Sequence, residues 1–131
     1  MFARRRLASS GLSNRCECKG GDFFVSVPSG GDAYLLASVI HDWNDEKSLT
    51  ILRNCCQAMD RRAKLLLVKM VIPPGDVPFF GKLLDLNMLV NFGGRERTEV
   101  EYRNLLSAAG FQLTQIVPTR APASLIEAVP V

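Results

Sequence analysis

At 131 residues the chain can form one domain with a modest core. Hydrophobic residues make up 47% and charged residues 22%, an ordinary globular balance, and the longest apolar run is far short of a membrane span. The net charge of +3 is mild, and its basic runs, Arg4-Arg5-Arg6 and Arg61-Arg62, lack the interleaved aromatics of a nucleic-acid surface.

Residues 2–10 read as a short helix stopped by Gly11, a natural residue for a left-handed helix end. The same Arg- and Ser-rich, acid-free start also has the look of a transit peptide; a surface helix is the preferred reading. Cys16 to Lys19 reads as a short strand, broken by Gly20-Gly21. Asp22-Phe23-Phe24-Val25 follows, then a turn at Pro28-Ser29-Gly30-Gly31. Ala33 to Ile40 is the first clear strand, ending in β-branched Val39 and Ile40. The chain then turns polar at once with His41, Asp42 and Trp43. Asn44 to Met59 has helical periodicity, with Leu49, Leu52, Cys56 and Met59 on one stripe.

Lys64 to Ile72 is almost continuously apolar, as strands covered on both faces read, and Pro73-Pro74-Gly75 ends it. After a loop over residues 76–82, Lys82 to Val90 suits a helix with Leu83, Leu86 and Val90 in phase. Gly93-Gly94 is a loop. Thr98 and Glu101 have capping-box spacing, and the helix they start runs to Ala109, stopped by Gly110. Gln112 to Pro118 and Ser124 to Val129 are the last strands. Their link is too short for a parallel crossover. The expectation is an α/β fold in one domain, residues 1–131, with parallel strands and an antiparallel C-terminal hairpin.

Cys16, Cys18, Cys55 and Cys56 lack zinc-ligand spacing, and one histidine is present to help them. No metal is implied, and reduced thiols point to a cytoplasmic protein. His41 is that sole histidine, delivered by a strand to the edge of an α/β sheet where ligands bind. Imidazole is a suitable proton acceptor near neutral pH. A histidine that caps the following helix is the structural alternative.

Several ordered stretches bear a resemblance. They are Gly20-Gly21-Asp22-Phe23-Phe24, His41-Asp42-Trp43 with Asp45-Glu46, Asp85-Leu86-Asn87-Met88-Leu89, Gly93-Gly94-Arg95-Glu96-Arg97-Thr98 and Ala108-Ala109-Gly110-Phe111. Over about residues 7–129 the chain resembles the C-terminal catalytic part of the S-adenosylmethionine-dependent O-methyltransferases that act on small molecules. The resemblance implies a Rossmann-like methyltransferase sheet, truncated on its N-terminal side. The family's glycine-rich cofactor loop and its N-terminal dimerisation domain, through which members form homodimers, have no counterpart in the sequence. An exposed apolar sheet edge near Ala33–Ile40 follows from that truncation.

The resemblance also implies roles. His41 corresponds to the general base and Glu96 to one of two acids that flank it. The second acid's position holds Lys69, a cation that favours a neutral imidazole but cannot accept its N–H. Asp22 and Phe23 correspond to residues at the adenosine end of S-adenosylmethionine. Asp42, Met88 and Asn91 correspond to residues facing a hydroxylated small-molecule substrate; ordinary helix packing and a helix-end cap are the alternatives for Met88 and Asn91. Ala37 stands where the family often has a cofactor-touching lysine. No nucleic-acid or membrane partner is implied. A catalytically inactive remnant, or a protein-interaction fragment, is the alternative reading of the whole chain.

Overall fold

The computed structural model describes residues 2–76 and 78–131, with the side chains at 81, 84, 88 and 92 outside the described set. Helix α1, Phe2–Ser9, ends at Gly11, whose φ of 69° is left-handed. The turn it makes lets the Leu12 N–H donate to the Leu7 carbonyl at 2.9 Å. Residues 16–22 run without regular structure, which corrects the strand expected over Cys16–Lys19. A strand exists only where a neighbour completes its hydrogen-bond ladder, and among the described residues none pairs with this segment.

Strand β1, Ala33–Ala37, is shorter than the sequence suggested. Ser38 has φ 56°, which turns the chain out of the strand, and Ile40–Asp42 form a single 3-10 turn. Helix α2, Asp45–Ala58, is capped by Asn44, whose side chain accepts the Lys47 N–H at 2.9 Å. The expected strand Lys64–Ile72 splits into β2, Lys64–Lys69, and β3, Val71–Ile72. Helix α3 covers Phe80–Phe92 and a two-residue strand β4 covers Arg97–Thr98. Helix α4, Glu99–Ala108, carries the complete capping box between Thr98 and Glu101. Strands β5, Phe111–Pro118, and β6, Ser124–Pro130, close the chain.

The main sheet has the order β1-β2-β6-β5. Strands β1 and β2 are parallel, with Leu35 opposite Leu66; β6 lies antiparallel to both β2 and β5. The C-terminal hairpin is therefore present, and it feeds β6 into the centre. Strands β3 and β4 form a separate parallel pair. Along β2 the period of two buries Leu65, Leu67 and Lys69, whereas Leu66 and Val68 are only half-buried. The buried face meets Ile51, Leu52 and Cys55 of α2 and Tyr102 and Leu106 of α4, with Phe111, Ile126 and Ala128 from the hairpin. One face of β2 is thus packed more tightly than the other, unlike the evenly covered strand its composition suggested. Strand β1 is an edge strand, and its Leu35 is exposed.

The in-phase residues Leu83, Leu86 and Val90 of α3 are exposed, as are Phe80 and Leu89. Among the helix's described side chains, Asp85 reaches back to the body of the domain and accepts the Glu96 backbone N–H at 2.7 Å. Periodicity identifies a stripe but not which side of it meets the protein. No helix among the described residues is long and apolar enough to cross a membrane.

Candidate active site

His41 sits in the 3-10 turn that follows β1, with its side chain 14% exposed. Its Nδ1 lies 2.7 Å from Oε1 of Glu96, whose carboxylate is fully buried. Nδ1–H donating to this carboxylate leaves the lone pair on Nε2, and the geometry orients the ring. Nε2 is 3.3 Å from Oδ1 of Asp42. The same Glu96 Oε1 lies 3.7 Å from Nζ of Lys69, also buried at the end of β2. Burial pushes the Lys69 ammonium below its ordinary range, while Glu96 and then Asp42 pull it back up. Glu96 Oε2 makes no hydrogen bond among the described residues, so neutralisation of the carboxylate falls on the partners of Oε1.

Two features of the Gly93–Thr98 stretch hold Glu96 against His41. Gly94 packs so closely on the turn that a Cβ there would overlap the His41 carbonyl oxygen and come within 2.6 Å of the Asp42 carbonyl carbon. Arg97, 1% exposed, spans the turn and the start of α2. It donates to the carbonyls of Ile40 at 3.3 Å, Trp43 at 3.2 Å and Arg95 at 3.2 Å, and to Ser48 Oγ at 3.3 Å. It also meets Asp45 Oδ1 through Nε at 3.0 Å and Nη2 at 2.7 Å. The fixed fork of a guanidinium suits this many acceptors; a lysine cannot reach them all. Tyr102 of α4 is buried behind the cluster, and desolvation holds its hydroxyl well above the usual tyrosine range.

Among the sequence-derived site residues, His41, Asp42 and Glu96 are brought together, and Lys69 joins them. Asp22 and Phe23 lie apart from that cluster. Asp22 Oδ1 accepts the Phe24 N–H at 2.9 Å, and the Phe23 carbonyl accepts from Asn54 at 2.9 Å. The Phe23 ring meets Phe24 and Trp43 edge-on, at 5.0 and 6.3 Å between centroids. Trp43 thereby links the Phe23 loop to the His41 turn. The Met88 side chain falls outside the described residues. Asn91 is exposed on α3, its amide bonded to the Asn87 carbonyl at 3.0 Å. Asp85, Gly94 and Arg97 escaped a functional reading of the sequence. A lone acid inside an apolar helix was the available signal for Asp85, and the glycine-arginine run was the signal for the other two.

A groove of about 260 Å³ is lined by Gly20, Gly21, Phe23, Tyr34, Leu36 and Ile51, among others, and is mostly apolar. Asp22 adjoins it with an exposed carboxylate. An acceptor beside aromatic and glycine backbone surface suits the nucleoside end of an amphipathic cofactor. Ala37, at the end of β1, offers no hydrogen-bonding side chain.

The family described as the O-methyltransferase domain matches residues 1–112. A phenazine O-methyltransferase of Lysobacter antibioticus is 50% identical over 129 residues, which are 98% of this chain and 38% of that protein. A crystal structure of an O-methyltransferase from neocarzinostatin biosynthesis, in complex with S-adenosylmethionine and 2-hydroxy-5-methyl naphthoic acid, matches with a TM-score of 0.90. It is 33% identical, over 98% of this chain and 38% of that one. The sheet is the Rossmann-like α/β arrangement of these enzymes. An aclacinomycin 10-hydroxylase of Streptomyces purpurascens is 43% identical over 113 residues, 85% of this chain and 30% of that protein. The chain spans at most 38% of the length of these relatives.

Proposed function

The chain belongs to the O-methyltransferase domain family, and from that premise we propose that it carries the base-bearing part of an S-adenosylmethionine-dependent methyltransferase. The acceptor is a hydroxyl oxygen of a small molecule. The observation that carries this reading is the 2.7 Å contact between His41 Nδ1 and the buried Glu96.

The substrate hydroxyl must lose its proton as its oxygen attacks. Glu96 accepts the Nδ1–H of His41, which fixes the tautomer and leaves Nε2 as the proton acceptor. Asp42, 3.3 Å from Nε2, steadies the imidazolium that results and lies where the substrate would approach. Met88 and Asn91 are the further substrate-facing residues in this reading. Asp22 and Phe23 would hold the adenosine end of S-adenosylmethionine, by an acceptor carboxylate and a ring face. When bound, that cofactor supplies the electrophilic methyl group. Gly94 and Arg97 act earlier, by setting the backbone that carries His41.

Titration calorimetry with S-adenosylmethionine, repeated in competition with S-adenosylhomocysteine, tests the cofactor assignment; no heat and no competition would end it. Labelled methyl transfer to a hydroxyphenazine, a probe suggested by the Lysobacter relative, tests the base. The rate is expected to fall at least ~100-fold in His41→Ala. An unchanged rate in that variant removes His41 from the mechanism.

A further inference from the structure

Glu96 is a single buried carboxylate with two basic neighbours on one oxygen. His41 Nδ1 is 2.7 Å and Lys69 Nζ 3.7 Å from the same Oε1. The Lys69 and Glu96 side chains are 4% and 0% exposed. Water therefore contributes little to compensating either charge, and each depends on the other.

The remaining charged and titratable groups around His41 come from every element packed against it. Asp42 shares its turn and contacts Nε2 at 3.3 Å, but its side chain is 40% exposed. Asp85 of α3 is occupied with the Glu96 backbone N–H. Arg97 of β4 is paired with Asp45 and bonded to the Ile40 carbonyl. Tyr102 of α4 is buried behind Glu96 and neutral. Within this set the buried Glu96 charge is matched once by Lys69, before His41 takes up a proton. A protonated His41 would place a second cation on an acceptor already neutralised. Without the ammonium, a protonated His41 and Glu96 would form a well-matched buried pair.

We propose that Lys69 is a positioning residue for the reaction: it shares the Glu96 carboxylate with His41 and so holds the imidazole in its neutral, proton-accepting form. The inference rests on the reading of His41 as general base. It assigns a task to a lysine standing where the family resemblance implied a second acid. Glu96 orients the ring, and Lys69 prevents that same carboxylate from trapping His41 as a cation.

The test uses the sole histidine of the chain, which gives one Cε1–Hε1 resonance in a carbon-13 NMR titration. Lys69→Met removes the ammonium at similar size. Its His41 titration midpoint is expected to rise by about 1 pH unit or more relative to the parent, while Lys69→Arg, which keeps the charge, stays close to the parent. Lys69→Gln serves the same purpose if the methionine variant does not fold. A midpoint within about 0.3 pH unit of the parent in a folded Lys69→Met or Lys69→Gln chain would overturn the proposal, because a neighbouring cation in such a site typically shifts a titration by more than this. The measurement needs neither cofactor nor turnover. A chain that binds no S-adenosylmethionine but shows the shift would retract the proposed function alone, and one that binds it without the shift would retract only the role of Lys69.

Discussion

Replacing Arg97 by lysine tests whether the turn carrying His41 is held by a guanidinium or by an ion pair. Arg97 is buried and reaches three backbone carbonyls, the Ser48 hydroxyl and Asp45. A lysine keeps the charge but holds its donors on one nitrogen, so several of these hydrogen bonds are lost, although the Ser48 hydroxyl also reaches the Ile40 and Trp43 carbonyls. Each lost bond is worth about 0.5–1.5 kcal/mol, and over the several that are lost the expected destabilisation is about 2–3 kcal/mol. The Asp45 side chain is 60% exposed, so water screens its charge. Asp45→Asn should cost less than about 1 kcal/mol, including its small contribution at the start of α2. Urea unfolding followed by Trp43 fluorescence gives both numbers, because Trp43 is the sole tryptophan and packs against Phe24 at 4.9 Å. A cost below about 1 kcal/mol for Arg97→Lys, or equal costs for the two variants, would refute the reasoning.

Gly94→Ala should cost about 3 kcal/mol and move the His41 resonance, since the added methyl overlaps the His41 carbonyl. Gly93→Ala, at φ 66° with open space around it, should cost about 1 kcal/mol and leave that resonance in place; similar effects from both would show that the close approach is unimportant. Burial, and secondarily Cys56, raises the Cys55 thiol from 9.0 to about 11. The folded state keeps this proton when the unfolded chain has lost it, so the stability is present below pH 9 and is lost as pH rises from 9 to about 11. The difference in unfolding free energy between the parent and Cys55→Ala should therefore shrink by about 2 kcal/mol between pH 8 and pH 10.5. A difference that is constant with pH would contradict the burial argument. Comparing the two chains cancels the opposing contributions of Lys69 and Tyr102.

Much of the fold is legible because its signals are local. Asn44 caps α2 through a residue three positions on, and the Thr98–Glu101 box closes on itself in the same way. The short link before Ser124 forces an antiparallel pairing whatever surrounds it. Misreadings arise where the deciding partner is distant. A strand over Cys16–Lys19 needs a neighbour. Strand β1 stops at Ser38, earlier than its apolar run suggested.

The sequence by itself determined that one imidazole stands at the end of an apolar strand, beside an acid and ahead of a capped helix. Neighbours within one turn set that arrangement, and the motif around it pointed to the family. The family resemblance named Glu96 as an acid flanking His41, but no local pattern links the two; only the tertiary structure brings Glu96, 55 residues away and just ahead of β4, to 2.7 Å from Nδ1. It also decided that Lys69 answers the same oxygen. Side-chain period along β2 puts Lys69 on the buried face with Leu65 and Leu67, but only the packing of that face against the Gly93–Thr98 stretch turns an out-of-place cation into a partner of the base.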